Sequence, residues 1–149
     1  MKDKTVHVLN DLLEVTKDGE EGFERAAAEV EDLPVKTVLN ECAANCRSSA
    51  RELESQVRRL GGSPDDDGSA AGAMHRGWVN LKAAITGHDT KAVLNECERG
   101  EDFAKGRYRK ALEEEDLPSD IRSLIQDQYQ GVLANHDRIK ALRDQYARR

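Results

Sequence analysis

Aromatic side chains are scarce in this chain: two Phe, three Tyr and one Trp make up 4% of its 149 residues. Sheets draw heavily on aromatic and β-branched residues, so the scarcity weighs against a β fold. Cysteine is also sparse, and the count of three is odd, so not all can pair. No Cys-x-x-Cys occurs, and Cys42, Cys46 and Cys97 read as the reduced thiols of a cytosolic protein. No stretch approaches the roughly 20 apolar residues that span a bilayer, which argues against a membrane protein. The opening MKDKTVHVLNDLLEV is broken by charge, so no secretory signal is visible and a cytoplasmic location is expected. Basic charge is in deficit, with 23 Lys and Arg against 29 Asp and Glu, a net charge of −6. A general nucleic-acid binder needs a basic face to displace counterions, so no nucleic-acid partner is expected.

Several catalytic patterns are missing as well. Gly61-Gly62 and Gly68 are not a phosphate loop, because no Gly-Lys-Ser/Thr follows. There is no Gly-x-Ser-x-Gly, and no cysteine has a histidine at helical spacing. These gaps weigh against an enzyme.

What is abundant is charge, at 35%, mixed with 38% apolar residues in the pattern of long amphipathic helices. The length suits one domain covering residues 1–149. Four long segments carry apolar residues at alternating spacings of three and four. The first runs from about Thr5 to Glu31, with an inner stripe of Val6, Leu9, Leu13, Thr16, Glu20, Phe23, Ala27 and Val30. Asp32-Leu33-Pro34 makes a corner, since Asp caps a helix and Pro is tolerated in a first turn. The second stripe runs Val35, Leu39, Cys42, Cys46, Ser49, Leu53, Val57, Leu60, and Gly61-Gly62 stops it. A loop with Pro64 and Asp65 to Asp67 follows, then a shorter helix predicted over Ser69 to Thr86, with Trp78 on its packing side. Leu94, Cys97, Glu101, Ala104, Tyr108 and Ala111 define the third long helix. After a second Asp-Leu-Pro corner, Ile121, Ile125, Gln128, Val132, His136, Ile139, Arg143 and Tyr146 define the fourth.

Connection lengths then select a topology. Corners of about three residues make each pair an antiparallel hairpin. The span from Gly61 to Asp89 covers a helix length of roughly 39 Å, taking about 26 residues at 1.5 Å each. Such a crossover leaves the second and third long helices parallel. Lys36-Thr-Val-Leu-Asn-Glu-Cys42 recurs as Lys91-Ala-Val-Leu-Asn-Glu-Cys97 near the start of these two helices, as equivalent hairpins would have it. The expected fold is all-α: an antiparallel four-helix bundle with a long crossover carrying a short extra helix.

Three ionisable residues interrupt the inner stripes: Glu20, Glu101 and His136. Buried charge is costly unless paired, hydrogen-bonded or metal-bound. Two carboxylates and an imidazole make a plausible divalent-metal set, with Gln128, Tyr108 and Cys46 in support. The plainer reading is a satisfied polar network or residues at the stripe margin that reach water, and it is the commoner outcome. On that reading no cofactor is expected; on the other, iron or manganese is. Gly19, Gly22 and Gly100 lie inside helices at a cost of about 1 kcal/mol each. Close helix approach, or room for an aromatic such as Trp78, would offset it. Arg76 is expected to pair with Glu98, Glu101 or Asp102. Tyr129, Leu133 and Leu142 suggest a second apolar stripe, and with it a homodimer seam.

The order of hairpin, crossover and hairpin resembles the ferritin-like superfamily. Its di-iron members carry a Glu on the first and third helices and Glu-x-x-His on the second and fourth. Aligned on Leu60-Gly61-Gly62-Ser63-Pro64, the resemblance puts Cys46 and Ser49 at the second-helix positions. It puts Leu133 and His136 at the fourth-helix positions, Glu101 at the third, and Asp18, Glu20, Glu21 or Glu24 at the first. Half the ligand set is therefore replaced or unidentified, which implies loss of the di-iron centre. Asp18-Gly19 with Gly22-Phe23, Leu60-Gly61-Gly62, Gly68-Ser69, His75-Arg76, Trp78, Glu98 to Asp102, Leu117-Pro118 and His136-Asp137 together resemble a narrower group. It is a bacterial ferritin-like four-helix-bundle family classed as a domain of unknown function. The resemblance implies the fold, dimerisation and a link to stress survival. The function it suggests is a helical module acting by binding, assembly or stress protection; the alternative is a metal-dependent oxidoreductase with a degenerate or single-metal site. A third reading has the Asp65 to Asp67 loop docking a basic partner.

Overall fold

The computed structural model describes residues 2–64, 78, 80–87 and 89–147. Its elements are α1 (Lys2–Glu29), α2 (Leu33–Arg59), a short α3 (Leu81–Thr86), α4 (Thr90–Leu112) and α5 (Ser119–Ala147). The described residues contain no strand. No helix is long and apolar enough to cross a membrane among the described residues.

The helix ends follow local chemistry. Asp32 caps α2 by accepting a hydrogen bond from the Val35 amide at 3.2 Å, with Pro34 in the first turn. Asp89 caps α4 in the same way, accepting from the Lys91 and Ala92 amides. At the far end of α2, Gly61 takes φ of +83°, a left-handed value that side chains disfavour. Its amide donates to the Arg58 carbonyl and that of Gly62 to the Val57 carbonyl, the paired bonds of a glycine-terminated helix.

Cross-helix pairs fix the topology. Along α1 and α4, Lys4 meets Glu114, Asp11 meets Arg107, and Thr16 meets Tyr108, so the two helices run antiparallel. Along α2 and α5, Glu41 meets Arg138, Asn45 meets Asn135, and Arg59 meets Asp120, again antiparallel. The corners join α1 to α2 and α4 to α5. Therefore α2 and α4 are parallel and diagonal, as the crossover demands. This is the ferritin-like four-helix bundle the connection lengths predict.

The interior divides along the bundle axis. One apolar cluster holds Phe23, Leu39, Trp78, Leu94, Cys97 and Ile139; the other holds Leu9, Leu12, Leu53, Val57, Ile121 and Ile125. Burying each such aliphatic side chain contributes about 1.5–3 kcal/mol. Between the clusters lies a polar belt, described below.

The crossover differs in detail from expectation. Residues 65–77 lie outside the described residues, and with them Asp65 to Asp67, His75 and Arg76. Trp78 does not belong to a helix: α3 begins at Leu81, whose amide donates to the Trp78 carbonyl at 3.2 Å. In this position the indole enters the seam between α1 and α4, only 3% exposed. It meets Phe23 edge-to-face at 5.0 Å. Gly22 and Gly100 make the space. A Cβ at Gly22 would stand 2.5 Å from the indole Cδ2, and one at Gly100 would overlap Cε2 and Cζ2. Gly19 plays a similar part toward Cys46, whose Sγ would lie 2.9 Å from an added Cβ.

Candidate functional site

A cavity of about 320 Å³ occupies the polar belt. Gly19 and Thr16 of α1 line it, with Cys46 and Ser49 of α2. Gly100, Glu101 and Ala104 come from α4, and Gln128, Val132 and Asn135 from α5. Asn45, Ser48 and Glu52 of α2 and Asp127 and Gly131 of α5 also line it and are exposed, so the cavity opens between α2 and α5.

Polar bridges keep that seam at a fixed width. Asn45 donates to Asn135 at 3.1 Å, and Gln128 Nε2 donates to the Ser49 carbonyl and to Glu52, each at 3.2 Å. Gln128 Oε1 accepts from the buried Tyr108 hydroxyl at 2.7 Å, and Thr16 Oγ1 lies 3.3 Å from that hydroxyl. The belt is thus a hydrogen-bonded network spanning all four long helices, as buried polar groups require.

Glu101 stands apart from it. It is 3% exposed, and Oε2 is buried with no hydrogen-bond partner among the described residues. Burial, reinforced by the neighbouring Asp102 carboxylate, pushes its pKa from the ordinary 4.5 to about 8. The cysteines feel the same environment. Burial raises Cys42 to about 12 and drives Cys46 and Cys97 well upward, with Glu101 adding to all three. Thiols held this far from ionisation pack as small apolar groups rather than act as nucleophiles.

The expected trio of Glu20, Glu101 and His136 is not brought together in one ligand cluster among the described residues. Glu20 sits at the margin of its stripe, where Arg47 binds it at 3.1 Å while also holding Glu24. The acid that α1 buries nearby is Asp18, 3% exposed. His136 faces the α4–α5 seam: its Nε2 lies 2.8 Å from Asp102 and 3.9 Å from Glu98. Glu98, Asp102 and His136 present ligand-type atoms within 4.8 Å of one another. Glu98 is also paired with Arg143, and the Asp102 side chain is 57% exposed. Arg76 lies outside the described residues; Arg143 is the partner the structure gives Glu98.

The α5 register explains His136. A strict stripe through Gln128 and Ile139 admits either Asn135 or His136, and the structure turns Asn135 inward. The pair facing the cavity at i, i+3 spacing is therefore Val132 and Asn135, not Leu133 and His136. On α2 the pair is Cys46 and Ser49, where the resemblance put it. Among the described residues, Glu101 is the one buried carboxylate that lines the cavity, whereas a di-iron centre is held by four carboxylates and two imidazoles. These residues do not fit such a centre.

Fold and core together define a ferritin-like helical bundle whose centre is a polar cavity. The family described as Domain of unknown function (DUF2383) matches residues 4–114, and the chain belongs to that family. In fold it is similar to the crystal structure of a two-domain protein containing DJ-1/ThiJ/PfpI-like and ferritin-like domains from Anabaena variabilis ATCC 29413. The TM-score is 0.77 at 15% identity, covering 99% of this chain and 38% of that one. At that identity the likeness speaks for the fold alone, and this chain spans well under half of the other's length. No curated protein matches the chain.

Sequence periodicity missed three features of the site: the inward turn of Asn135, the burial of Asp18 and the Glu98–Asp102–His136 group. Only the last had a visible signal. Glu98 and Asp102 lie four apart on α4, a spacing that stacks two carboxylates on one helix face.

Proposed function

We propose that this chain works as a single ferritin-like domain that binds or assembles rather than catalyses, its core having exchanged a di-metal centre for a ligand-sized cavity. The observation that carries this reading is the lining: Cys46 with Ser49, and Val132 with Asn135, face the cavity at i, i+3 spacing, and neither pair is the Glu-x-x-His that a di-metal centre needs at that spacing. Neutral amides, a hydroxyl and a high-pKa thiol are weak donors for a hard divalent cation. Elemental analysis of protein purified without chelator tests it. Less than one iron, manganese or zinc per chain is expected, and two per chain overturn the reading.

A second reading rests on the Glu98, Asp102 and His136 group, whose three ligand atoms suit one weakly held divalent ion at the α4–α5 seam. Arg143 competes for Glu98, which keeps affinity low. On this reading a single ion binds and is lost in His136→Ala; zinc or manganese titration that leaves the imidazole resonances of His136 unmoved would remove it.

The homodimer has weaker footing in the last helix than its sequence suggested. Tyr129 stacks on Tyr108 at 6.5 Å, and both it and Leu142 pack against the chain's own core. Leu133, half-buried, remains as the seam residue to test by size-exclusion chromatography.

A further inference from the structure

From the cavity and the unpartnered carboxyl within it, we infer that the bundle core is a binding site for a small organic ammonium, its N–H donors directed at Glu101 and its alkyl part held between α4 and α5. The inference rests on the reading of the core as lacking a two-metal centre, and names what takes its place.

Four observations carry it. First, at about 320 Å³ the cavity lies at the small end of ligand pockets, which run from roughly 300 to 1,000 Å³. Second, Glu101 Oε2 is buried with no partner among the described residues, an arrangement that costs stability unless something supplies a donor. Third, among the described residues the charged side chains lining the space are Glu52, Glu101 and Asp127, with no Lys, Arg or His. With all three ionised, an anion would meet only like charge, whereas a cation meets three carboxylates, two of them at the mouth where they attract it. Fourth, Val15, Ala104, Leu124 and Val132 give the cavity apolar wall for a short alkyl chain. Gln128 and Asn135 are already committed to Glu52, Tyr108 and Asn45, so Glu101 is the group that discriminates. A hydrated metal ion fits this wall poorly, since nothing apolar improves its binding.

The entrance supplies an independent handle. Gly131 lines the cavity, lies on the exposed side of α5, and among the described residues has no atom within 4 Å of where a Cβ would stand. A Cβ there meets no described atom, and a helix-compatible leucine is expected to reach across the mouth.

The test is titration of the full chain, in amine-free borate buffer at pH 8.5, with n-pentylammonium chloride and separately with 1-pentanol, followed by backbone amide NMR. The expected result is saturable shifts at Glu101, Gln128 and Asn135, with pentanol bound at least ~10-fold more weakly, the scale of a charged hydrogen bond. Glu101→Gln should weaken the ammonium by a similar factor, and Gly131→Leu should abolish the shifts while leaving the helical circular dichroism intact. If Glu101→Gln does not fold, Gly131→Leu and the alcohol comparison decide. Absence of saturable binding, equal binding of the alcohol, or binding that survives Gly131→Leu overturns the inference. Metal analysis separates the two failures: a chain with less than one metal ion that ignores the ammonium sinks only this inference, whereas two ions per chain sink the reading beneath it.

Discussion

Two seams of this bundle are built from similar helices and end up opposite in character. Between α1 and α4, glycines at 22 and 100 let Trp78 in, and the ring fills the space to contact distance. Between α2 and α5, a glycine at 131 has nothing near it, and the helices are held apart by amide and carboxylate bridges around a cavity. The lesson is that a helical glycine does not have one meaning. At the first seam its missing Cβ is filled by a neighbour; at the second it is part of an opening.

The most damaging way to break the contrast is to empty the filled seam. Trp78→Ala removes a ring buried against Phe23, Gly22 and Gly100 and should cost about 3–5 kcal/mol in chemical denaturation. A loss under 1 kcal/mol would mean the seam closes without it. The next effect belongs to the open side and depends on pH. Folding raises the Glu101 pKa from 4.5 to about 8, so between those values the folded chain keeps a proton that the unfolded chain releases. Stability should therefore be highest below about pH 4.5 with respect to this group and fall as pH rises toward 8. Glu101→Gln should flatten that fall; an unchanged slope in urea titrations at pH 5, 6.5 and 8 would show that water reaches the carboxylate.

The two smallest predictions are a matched pair. Gly100→Ala places a methyl into the indole and should destabilise by about 1–3 kcal/mol despite its better helix propensity. Gly131→Ala meets open space and should stabilise by about 0.5–1 kcal/mol. Thermal melts of both variants sharpen the comparison, and the same sign for the two would erase it.

How much of this was legible beforehand follows from the range of each interaction. Helix number, corners and topology depend on local spacing and connection length, and Asp32, Asp89 and Gly61 do in the structure what their types suggest. The glycines at 22 and 100 made sense once an aromatic partner was supposed, and Trp78 is that partner. Rotation about a helix axis is less legible. A step of one residue turns a side chain by about 100°, so Asn135 and His136 both satisfy a loose three-or-four pattern. Packing against α2, where Asn45 reaches Asn135, is a contact across 90 residues that no local pattern encodes. The same holds for Glu20. It lies two residues from the buried Asp18, but Arg47 on the next helix holds the carboxylate at the margin of the stripe. The cavity itself is an absence of side-chain volume, and only the assembled helices disclose it.

The central claim is that the bundle core no longer offers a seat for two metal ions. Crystals soaked in manganese and measured for anomalous scattering examine that seat directly. The account predicts no anomalous peak within bonding distance of Glu101 or between α2 and α5, with at most one weak peak at His136. Two strong peaks flanking Glu101 inside the bundle would contradict it.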